Sequence, residues 1–250
     1  MKKILYLIGI MTFVLTSCSS DDSSEIFIKK SKLTKIVYVT LSTGAYSSVD
    51  FKYDGNHIKS ETYNDGTYAI YTYEGDFITK KEMFSANKQL TFETEYKYID
   101  GKLASKTDKY PNNGGYLSRI KYNYKTGIVY SEQFTVIEET GEEIEFDLFG
   151  TFTYKEGNLL KSELRTSISE SIYTCEYDTK NNPLKNITGM NLLTDKDYQS
   201  SFNNITKLSG DGYLDTFTYA YNENDFPTQS KCFDKEGELK WTAQYYYEQE

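Results

Sequence analysis

The sequence predicts an all-β protein, an antiparallel meander of about 16 strands that curls into a barrel-like sheet or, as the alternative, folds into a sandwich. Three observations support this prediction: the composition, a repeated aromatic pair, and a fixed spacing from each pair to an apolar residue. The 250 residues include 25 Tyr and only six Ala. Because Tyr favours strands and Ala favours helices, a mostly helical protein is excluded.

Aromatic residues recur along the chain in pairs of the form aromatic-x-Tyr. Residues i and i+2 of a strand point to the same face of a sheet, so each pair places two rings side by side. Cys175/Tyr177 is a degenerate copy of the pattern. The full copies are Phe51/Tyr53, Tyr71/Tyr73, Tyr96/Tyr98, Tyr122/Tyr124, Phe152/Tyr154, Tyr219/Tyr221 and Tyr245/Tyr247.

The second Tyr of a pair is followed by an apolar residue five positions later. In a hairpin with a two-residue loop, residue i pairs with residue i+5, and each intervening dipeptide here contains the Gly or Asn that such loops need. Tyr177 differs, because its apolar partner Leu184 lies at +7, which predicts a four-residue loop over 179–182. The regular pairs are Tyr53/Ile58, Tyr73/Ile78, Tyr98/Leu103, Tyr124/Val129, Tyr154/Leu159 and Tyr221/Phe226.

The positions between these residues are mostly polar, as Lys52, Asp54 and Lys59 show in the first hairpin. One apolar face and one polar face are typical of an antiparallel sheet that is buried on one side. So many strands must curl or fold back to bury their aromatic face. We favour the curled meander, because the repeats continue without a visible linker.

The repeat is interrupted over residues 186–196, where we expect a loop or a short helix, followed by an extra strand over 202–208. Two interpretations of this break stay open. It could be a functional insertion, since loops often carry function. The favoured alternative is a plug that closes one end of the sheet with Met190, Leu192 and Leu193.

The first residues have the features of a secretion signal. A basic start, Lys2 and Lys3, precedes a 12-residue apolar run that is too short to span a bilayer. The run ends in Leu15-Thr16-Ser17-Cys18, which resembles the lipobox of bacterial lipoproteins. The resemblance implies cleavage before Cys18 and acylation of its thiol and amino group, palmitate included. We therefore expect a signal peptide over 1–17, the lipidated Cys with a flexible acidic tether over 18–31, and a single hairpin-repeat domain over 32–250.

The segment after Cys18 is acidic and rich in serine. Ser19, Ser20, Asp21 and Asp22 resemble the export signal of surface lipoproteins of the Bacteroidetes, which implies an outer-membrane lipoprotein displayed at the cell surface. The periplasmic face of the membrane is the alternative. The net charge of −9 opposes binding to phosphate backbones, so nucleic acid is not an expected partner.

The hairpin motifs carry a second resemblance. Phe51-Lys-Tyr-Asp-Gly-Asn, Tyr71-Thr-Tyr-Glu-Gly-Asp and Phe152-Thr-Tyr-Lys-Glu-Gly-Asn are similar to the Tyr-Asp repeats of RHS proteins. The resemblance covers roughly residues 50–247 and implies β-hairpin repeats. RHS repeats usually carry an Arg after the Gly, whereas this chain has other residues there, so the toxin-enclosing shell of RHS arrays is not implied.

Candidate chemistry is sparse. His57 is the single His, and we interpret it as an exposed turn residue rather than a catalytic base. Cys175 and Cys232 could form a disulfide in an exported protein or stay as buried thiols. The Asp211–Asp215 segment could offer oxygens to Ca²⁺, but a simple turn is the favoured interpretation.

These observations predict a non-catalytic cell-envelope lipoprotein that acts as a surface binding or interaction module for a glycan or a protein, without a cofactor or metal. A structural accessory of an envelope complex and a carboxylate-dependent hydrolase are the alternatives. We expect most Tyr rings to lie in the core, with hydrogen bonds from Thr, Ser and Asn of neighbouring strands. Trp241 and Tyr246 are the exceptions that could be exposed.

Overall fold

The computed structural model describes residues 31–111, 114–193 and 201–249, which form sixteen antiparallel strands in chain order around a closed barrel. The strands are β1 (Ser31–Thr40), β2 (Ala45–Asp54), β3 (His57–Tyr63), β4 (Tyr68–Glu74), β5 (Phe77–Phe84), β6 (Leu90–Ile99), β7 (Lys102–Lys109), β8 (Tyr116–Lys125), β9 (Ile128–Ile137), β10 (Glu143–Lys155), β11 (Asn158–Arg165), β12 (Glu170–Asn181), β13 (Asn203–Gly210), β14 (Tyr213–Tyr221), β15 (Pro227–Phe233) and β16 (Leu239–Gln249).

Pairing of the first strand with the last closes the sheet. Ile36 of β1 lies opposite Tyr245 of β16, and Val39 lies opposite Thr242. Closure leaves no free strand edge, which removes a common route to aggregation. The predicted all-β meander is therefore confirmed, and the barrel rather than the sandwich is the observed form. Among the described residues, no helix is long and apolar enough to cross a membrane.

The hairpin spacing is confirmed in five of the six regular pairs. Turn chemistry explains the register: in the β6–β7 loop both Asp100 (φ 51°) and Gly101 (φ 73°) have the left-handed conformation of a type I′ turn. The observed cross-strand pairs are Tyr53/Ile58, Tyr73/Ile78, Tyr98/Leu103, Tyr124/Val129 and Tyr154/Leu159.

The sixth pair was predicted wrongly. Tyr221 lies opposite Pro227 rather than Phe226. The backbone N–H of Asn222 donates to the Phe226 carbonyl at 2.9 Å, which leaves a three-residue loop. Asp225 has φ 62° at the last loop position, a conformation that Asp tolerates better than most residues. The extra loop residue moves the partner one position along the chain.

The predicted hairpin from Tyr177 to Leu184 is also wrong. Strand β12 continues to Asn181, and Tyr177 lies opposite Ile205 of β13. The long connection between β12 and β13 intervenes, so Leu184 belongs to that connection and not to a strand. The expected strand after the break is present as β13, and the expected short helix is a 3₁₀ turn over Met190–Leu192.

A β-bulge follows the apolar partner in most of these hairpins. In β3, for example, Tyr53 lies opposite Ile58 while Lys52 lies opposite Ser60, so Lys59 has no direct partner. An extra residue reverses the alternation beyond it. Glu61 therefore points into the barrel and is 7% exposed, opposite the buried ring of Phe51. The other extra residues are Thr79, Ala104, Leu160 and Thr228, whereas the β8–β9 hairpin keeps a regular register.

The tyrosine hydroxyls donate mainly to backbone carbonyls, not to the Thr, Ser and Asn side chains that we expected. Tyr98 donates to the Ile78 carbonyl at 2.8 Å, and Tyr124 donates to the Leu103 carbonyl at 2.9 Å. Each accepting residue precedes a bulge, where the ladder is irregular. The phenols thus link consecutive hairpins, a function that Phe could not supply. Further examples are Tyr53 to Leu33, Tyr177 to Leu159, Tyr219 to Ile205 and Tyr247 to Pro227.

This arrangement predicts the effect of removing one hydroxyl. Tyr98→Phe should lower the free energy of unfolding by about 1–2 kcal/mol, since the Ile78 carbonyl loses its phenol donor in a partly buried site. Chemical denaturation measures the change. Tyr246→Phe is the matched control, because the Tyr246 hydroxyl bonds to Gln244 on the exposed face. Equal losses in the two variants would contradict the structural importance of the inward phenols.

Candidate functional site

The connection between β12 and β13 closes the barrel end at which the described chain begins and ends. Ile187 is 3% exposed and belongs to the main core cluster. The Thr188 backbone N–H donates to the Asn56 carbonyl at 3.1 Å, and the Tyr73 hydroxyl donates to the Thr188 carbonyl at 3.2 Å. Asn186 Nδ2 donates to the Ser31 carbonyl at 3.0 Å. The break in the repeat is therefore a plug.

The plug uses partly different residues from those expected. Met190 and Leu193 pack against the core cluster together with Leu184, and Ile187 is buried within it. Leu192 instead lines an outer groove beside Asn56 and Asp76. Residues 194–196 of the predicted break lie outside the described residues.

A cavity of about 400 Å³ lies in the barrel above the plug. Asn182, Pro183 and Leu184 form its floor. Thr40 and Ser47 lie beside the β1–β2 turn at the other end, where Ser47 is exposed, so the cavity opens away from Ser31 and Gln249. The wall is formed by side chains of four strands, β1, β13, β14 and β16: Ile36, Tyr38, Asn204, Ile205, Phe217, Tyr219, Trp241 and Tyr245.

Aromatic rings dominate the cavity wall. Trp241 lies between Tyr38 and Phe217, with ring centroids 5.9 Å apart in both pairs and interplanar angles of 74° and 55°. Burial raises the pKa of Tyr245, whose hydroxyl bonds to Ser230 Oγ at 3.0 Å. Tyr219 is held by its bond to the Ile205 carbonyl at 2.7 Å. The rings are fixed by their neighbours, which suits a preformed pocket.

Trp241 and Tyr246 were both predicted to be candidates for exposure, and the structure separates them. Tyr246 is 47% exposed on the outer face of β16. Trp241 points inward and lines the cavity. The difference follows from strand alternation, because the bulge at Lys240 precedes Trp241 while Tyr245 and Tyr247 keep the inward face.

A carboxylate network lies beside the cavity floor. Asn204 is 2% exposed, and its Nδ2 donates to Asp178 Oδ2 at 3.2 Å and to the Asn181 carbonyl at 3.1 Å. The Tyr221 hydroxyl also donates to Asp178, and this contact raises the pKa of Tyr221 in addition to the larger effect of burial. No donor of the described residues lies within hydrogen-bond distance of Asn204 Oδ1.

A second polar group lies inside the barrel at Glu61. Its carboxylate accepts from the Tyr71 hydroxyl at 2.7 Å, from the Tyr63 hydroxyl at 3.0 Å and from Lys81 Nζ at 3.1 Å. Burial, with the negative charge of Glu61, raises the pKa of both tyrosines. Lys81 Nζ also lies 5.0 Å from the centroid of the Tyr71 ring. The carboxylate is thus fully engaged by protein groups.

The Asp211–Asp215 segment is a turn, as favoured. Asp211 and Gly212 form the two-residue β13–β14 loop, with φ 49° and 78°. Asp215 points inward, is 4% exposed and accepts from Lys240 Nζ at 2.8 Å and from the Tyr213 hydroxyl. Across residues 31–111, 114–193 and 201–249, no group of three or more His, Cys, Asp or Glu side chains could hold a metal ion.

His57 lies next to the β2–β3 turn, as predicted. Its ring stacks on Tyr73 at 4.4 Å between centroids, and its Nε2 lies 3.5 Å from Asp76 Oδ1. Its side chain is 39% exposed, and that of Asp76 is 83% exposed. His57 is therefore a surface residue whose ring covers the ring of Tyr73.

Cys175 and Cys232 are both buried, and both thiols are free in the structure. They lie on β12 and β15, which are separated by β13 and β14. Strands are about 4.8 Å apart, so the two backbones are roughly 14 Å apart along the sheet, beyond the reach of a disulfide. Burial raises the pKa of Cys175, and burial with the nearby charge of Asp215 raises the pKa of Cys232 to about 12.

The lipidation residue Cys18 and the export residues Ser19, Ser20, Asp21 and Asp22 lie outside the described residues. Asn204 was missed, because nothing near it in sequence marks a cavity. The sequence pattern did not place Glu61 inside the barrel, because it did not reveal the bulge that turns this side chain inward.

Comparisons with known proteins show the fold alone. No protein-family model matches the chain, and no curated protein matches it. Two solved structures are similar. A porin-like protein from Bacteroides uniformis has a TM-score of 0.56 and 14% identity over 86% of this chain and 96% of its own. A porin-like protein from Bacteroides vulgatus has a TM-score of 0.57 and 14% identity over 88% of this chain and 99% of its own. The chain therefore shares the architecture of these Bacteroides barrels.

Proposed function

We propose that this chain is a non-catalytic lipoprotein of the bacterial outer membrane, displayed at the cell surface, whose water-exposed barrel binds a ligand in its lumen. The observation that supports this proposal most strongly is where polar and apolar side chains lie. Charged side chains cover the outer face of the barrel, while aromatic side chains line an open inner cavity. The similar structures are named porin-like and come from Bacteroides, which supports an envelope protein of that bacterial group.

The outer face is suited to water. A barrel that crosses a membrane presents an apolar band to lipid, where Lys or Arg costs about 2–4 kcal/mol at the midplane. Exposed charged residues instead occur on strands all around this barrel. They include Lys52, Lys59, Glu74, Glu95, Lys97, Lys121, Glu132, Glu176 and Lys231. A lipid anchor at Cys18 would hold such a barrel at the membrane without inserting it.

The position of the first and last described residues supports the same arrangement. Ser31 and Gln249 pair at the plugged end of the barrel. A tether that leads from Cys18 to Ser31 would therefore place the plug toward the membrane. The cavity mouth near Thr40 and Ser47 would face outward, where a ligand from outside the cell could enter.

The inward carboxylates support a non-catalytic function. A glycosidase needs an acid and a base that are both free to reach substrate. Glu61 is bound by Lys81 and two tyrosines, and Asp215 is bound by Lys240 and Tyr213. Neither lines the cavity. A binding protein therefore fits the lumen better than a hydrolase.

Anchoring is tested at Cys18. Cys18→Ala should abolish incorporation of a radiolabelled fatty acid and move the protein from the membrane fraction to the soluble fraction, since several acyl chains provide stable attachment. Ser24→Ala is the matched control and should stay labelled. Antibody binding to intact cells then reports surface display. Labelling that persists in Cys18→Ala would overturn the anchor, and antibody access only after lysis would place the protein on the periplasmic face.

A further inference from the structure

Several aromatic rings of the cavity wall stay partly accessible inside the barrel. Trp241, Tyr38 and Tyr219 line the cavity, and each of them is only partly buried. A side chain on the inner face of a closed barrel reaches solvent through the lumen, so the accessible parts of these rings face the cavity. Apolar surface that stays open within a protein often marks a binding site.

The charges around the cavity disfavour a charged ligand. The thirteen described residues that line it are all uncharged. Asp178 lies beside the cavity floor and accepts hydrogen bonds from Asn204 and Tyr221. An anion would lose its hydration, gain no opposite charge from the wall and be repelled by Asp178. A cation would also lose hydration and could not contact Asp178, which does not line the cavity.

Polar groups at the two ends of the cavity disfavour a wholly apolar ligand. Asn182 belongs to the floor, while Thr40 and Ser47 lie at the mouth, where Ser47 is exposed. An apolar ligand would remove water from the Ser47 hydroxyl without replacing its hydrogen bond, which costs about 1–3 kcal/mol. A saccharide carries apolar C–H faces and a rim of hydroxyl groups. It can therefore cover the aromatic rings and still provide partners for the polar groups.

The spacing of these groups matches a disaccharide. Ser47 lies on β2 and Trp241 on β16, and both strands pair with β1. Neighbouring strands are about 4.8 Å apart, so the two residues are separated by roughly 10 Å across the sheet. That distance is close to the length of two linked sugar rings. The cavity volume of about 400 Å³ also suits a molecule of this size.

We propose that the cavity binds a neutral disaccharide, which packs a C–H face against Trp241 and forms a hydrogen bond with Ser47 at the mouth. The inference rests on the proposed luminal binding and names its ligand class. Recognition would depend on ring faces and hydroxyl groups without any ion pair. Affinity for the sugar should therefore change little with salt concentration.

Four neutral disaccharides, cellobiose, lactose, maltose and mannobiose, are the probes. β-Naphthol, benzyltrimethylammonium and benzoate represent an aromatic, a cationic and an anionic ligand. The full chain carrying Cys18→Ala is used, so that binding is measured without the lipid. At least one disaccharide should bind with a Kd of about 1 mM or lower by calorimetry. It should also change the emission of Trp241, which is the only Trp of the chain.

Two variants locate the site. Trp241→Leu should weaken the bound disaccharide about tenfold, because the aliphatic side chain lacks a flat face. Tyr246→Leu is the matched control on the outer face of the same strand and should bind as the unchanged chain does. Ser47→Phe keeps Trp241 and fills the mouth from an exposed position, so it should also weaken binding about tenfold. Circular dichroism checks that each variant is folded, and Ser47→Phe decides the matter if Trp241→Leu does not fold.

The outcomes separate the ligand class from the proposed function. Unchanged affinity in folded Trp241→Leu or in Ser47→Phe overturns the cavity as the saccharide site. Binding of β-naphthol, benzyltrimethylammonium or benzoate without any disaccharide overturns the saccharide class but supports luminal binding. No binding of any probe by folded protein overturns the ligand class, whereas the anchor and surface display are decided independently by lipid labelling at Cys18 and by antibody access.

Discussion

Lys81→Met is expected to lower the free energy of unfolding by about 3 kcal/mol. The change removes the only cation that contacts the Glu61 carboxylate among the described residues, while the two tyrosine hydroxyls remain. The Glu61 side chain is 9% exposed, so its charge would lie in a poorly hydrated site without a counterion. Breaking a buried ion pair from one side typically costs 3–5 kcal/mol, and the partial exposure of Lys81 favours the lower limit. Urea unfolding at neutral pH measures the loss.

The neighbouring residue provides a matched control. Lys80 makes ion pairs with Glu82 and Glu93 at 2.9 and 3.0 Å, but it points to the outer face. Pairs at a hydrated surface contribute about 0–1 kcal/mol, so Lys80→Met should change stability little. A loss in Lys80→Met equal to that in Lys81→Met would contradict the inward orientation that the bulge at Thr79 gives to Lys81.

The charge itself can be separated from the packing. Lys81→Met combined with Glu61→Gln should recover most of the lost stability, because the amide oxygen still accepts from a tyrosine and no charge is left unpaired. A double variant as unstable as Lys81→Met would show that Lys81 acts through packing on Tyr71.

The local part of the fold was predictable from the sequence. The pairing of Tyr98 with Leu103 depends only on the intervening Asp-Gly turn and on a two-residue loop. Where the loop differs by one residue, as before Phe226, the same spacing gives the wrong partner. The number of strands followed from counting hairpins, and the need to bury an aromatic face favoured a closed sheet.

The lumen was not predictable, because it depends on contacts between distant strands. Simple alternation points Glu61 outward, and only the bulge at Lys59 turns it inward. Nothing in a single hairpin shows that a phenol of the next hairpin will donate to the carbonyl before the bulge. The cavity combines Tyr38 of the first strand with Trp241 of the last, so it exists only after closure. Asn204 gains importance from Asp178, which lies 26 positions earlier.

Alkaline pH is expected to unfold the barrel cooperatively. Burial raises the pKa of Tyr71, Tyr245 and Tyr247 above the ordinary value of 10.0, and it raises the pKa of Tyr73 to about 12. These phenols are therefore protonated in the folded state at pH values where an unfolded chain would ionise them. Protonation favours folding fully below pH 10, and this contribution is lost as the pH rises above that value.

The size of the effect follows from linkage. Each phenol that stays protonated only in the folded state lowers stability by about 1.4 kcal/mol for each pH unit above its unfolded pKa. The three most buried phenols together give about 4 kcal/mol at roughly pH 11, which is comparable with the stability of many whole domains. Partly exposed phenols such as Tyr73 add less, because solvent screens their charge.

Phenolate absorbance and circular dichroism, followed together during an alkaline titration, test this expectation. The absorbance should rise in two stages, with the second stage coinciding with the loss of β-sheet signal, since buried phenols ionise only as the barrel opens. The same titration in concentrated urea should show a single stage near the ordinary pKa. A single stage in the native protein, with β-sheet signal retained throughout, would mean that the tyrosines are hydrated. The excess of Tyr would then not form the core, and the hydrogen bonds from phenols to backbone carbonyls would not be what joins one hairpin to the next.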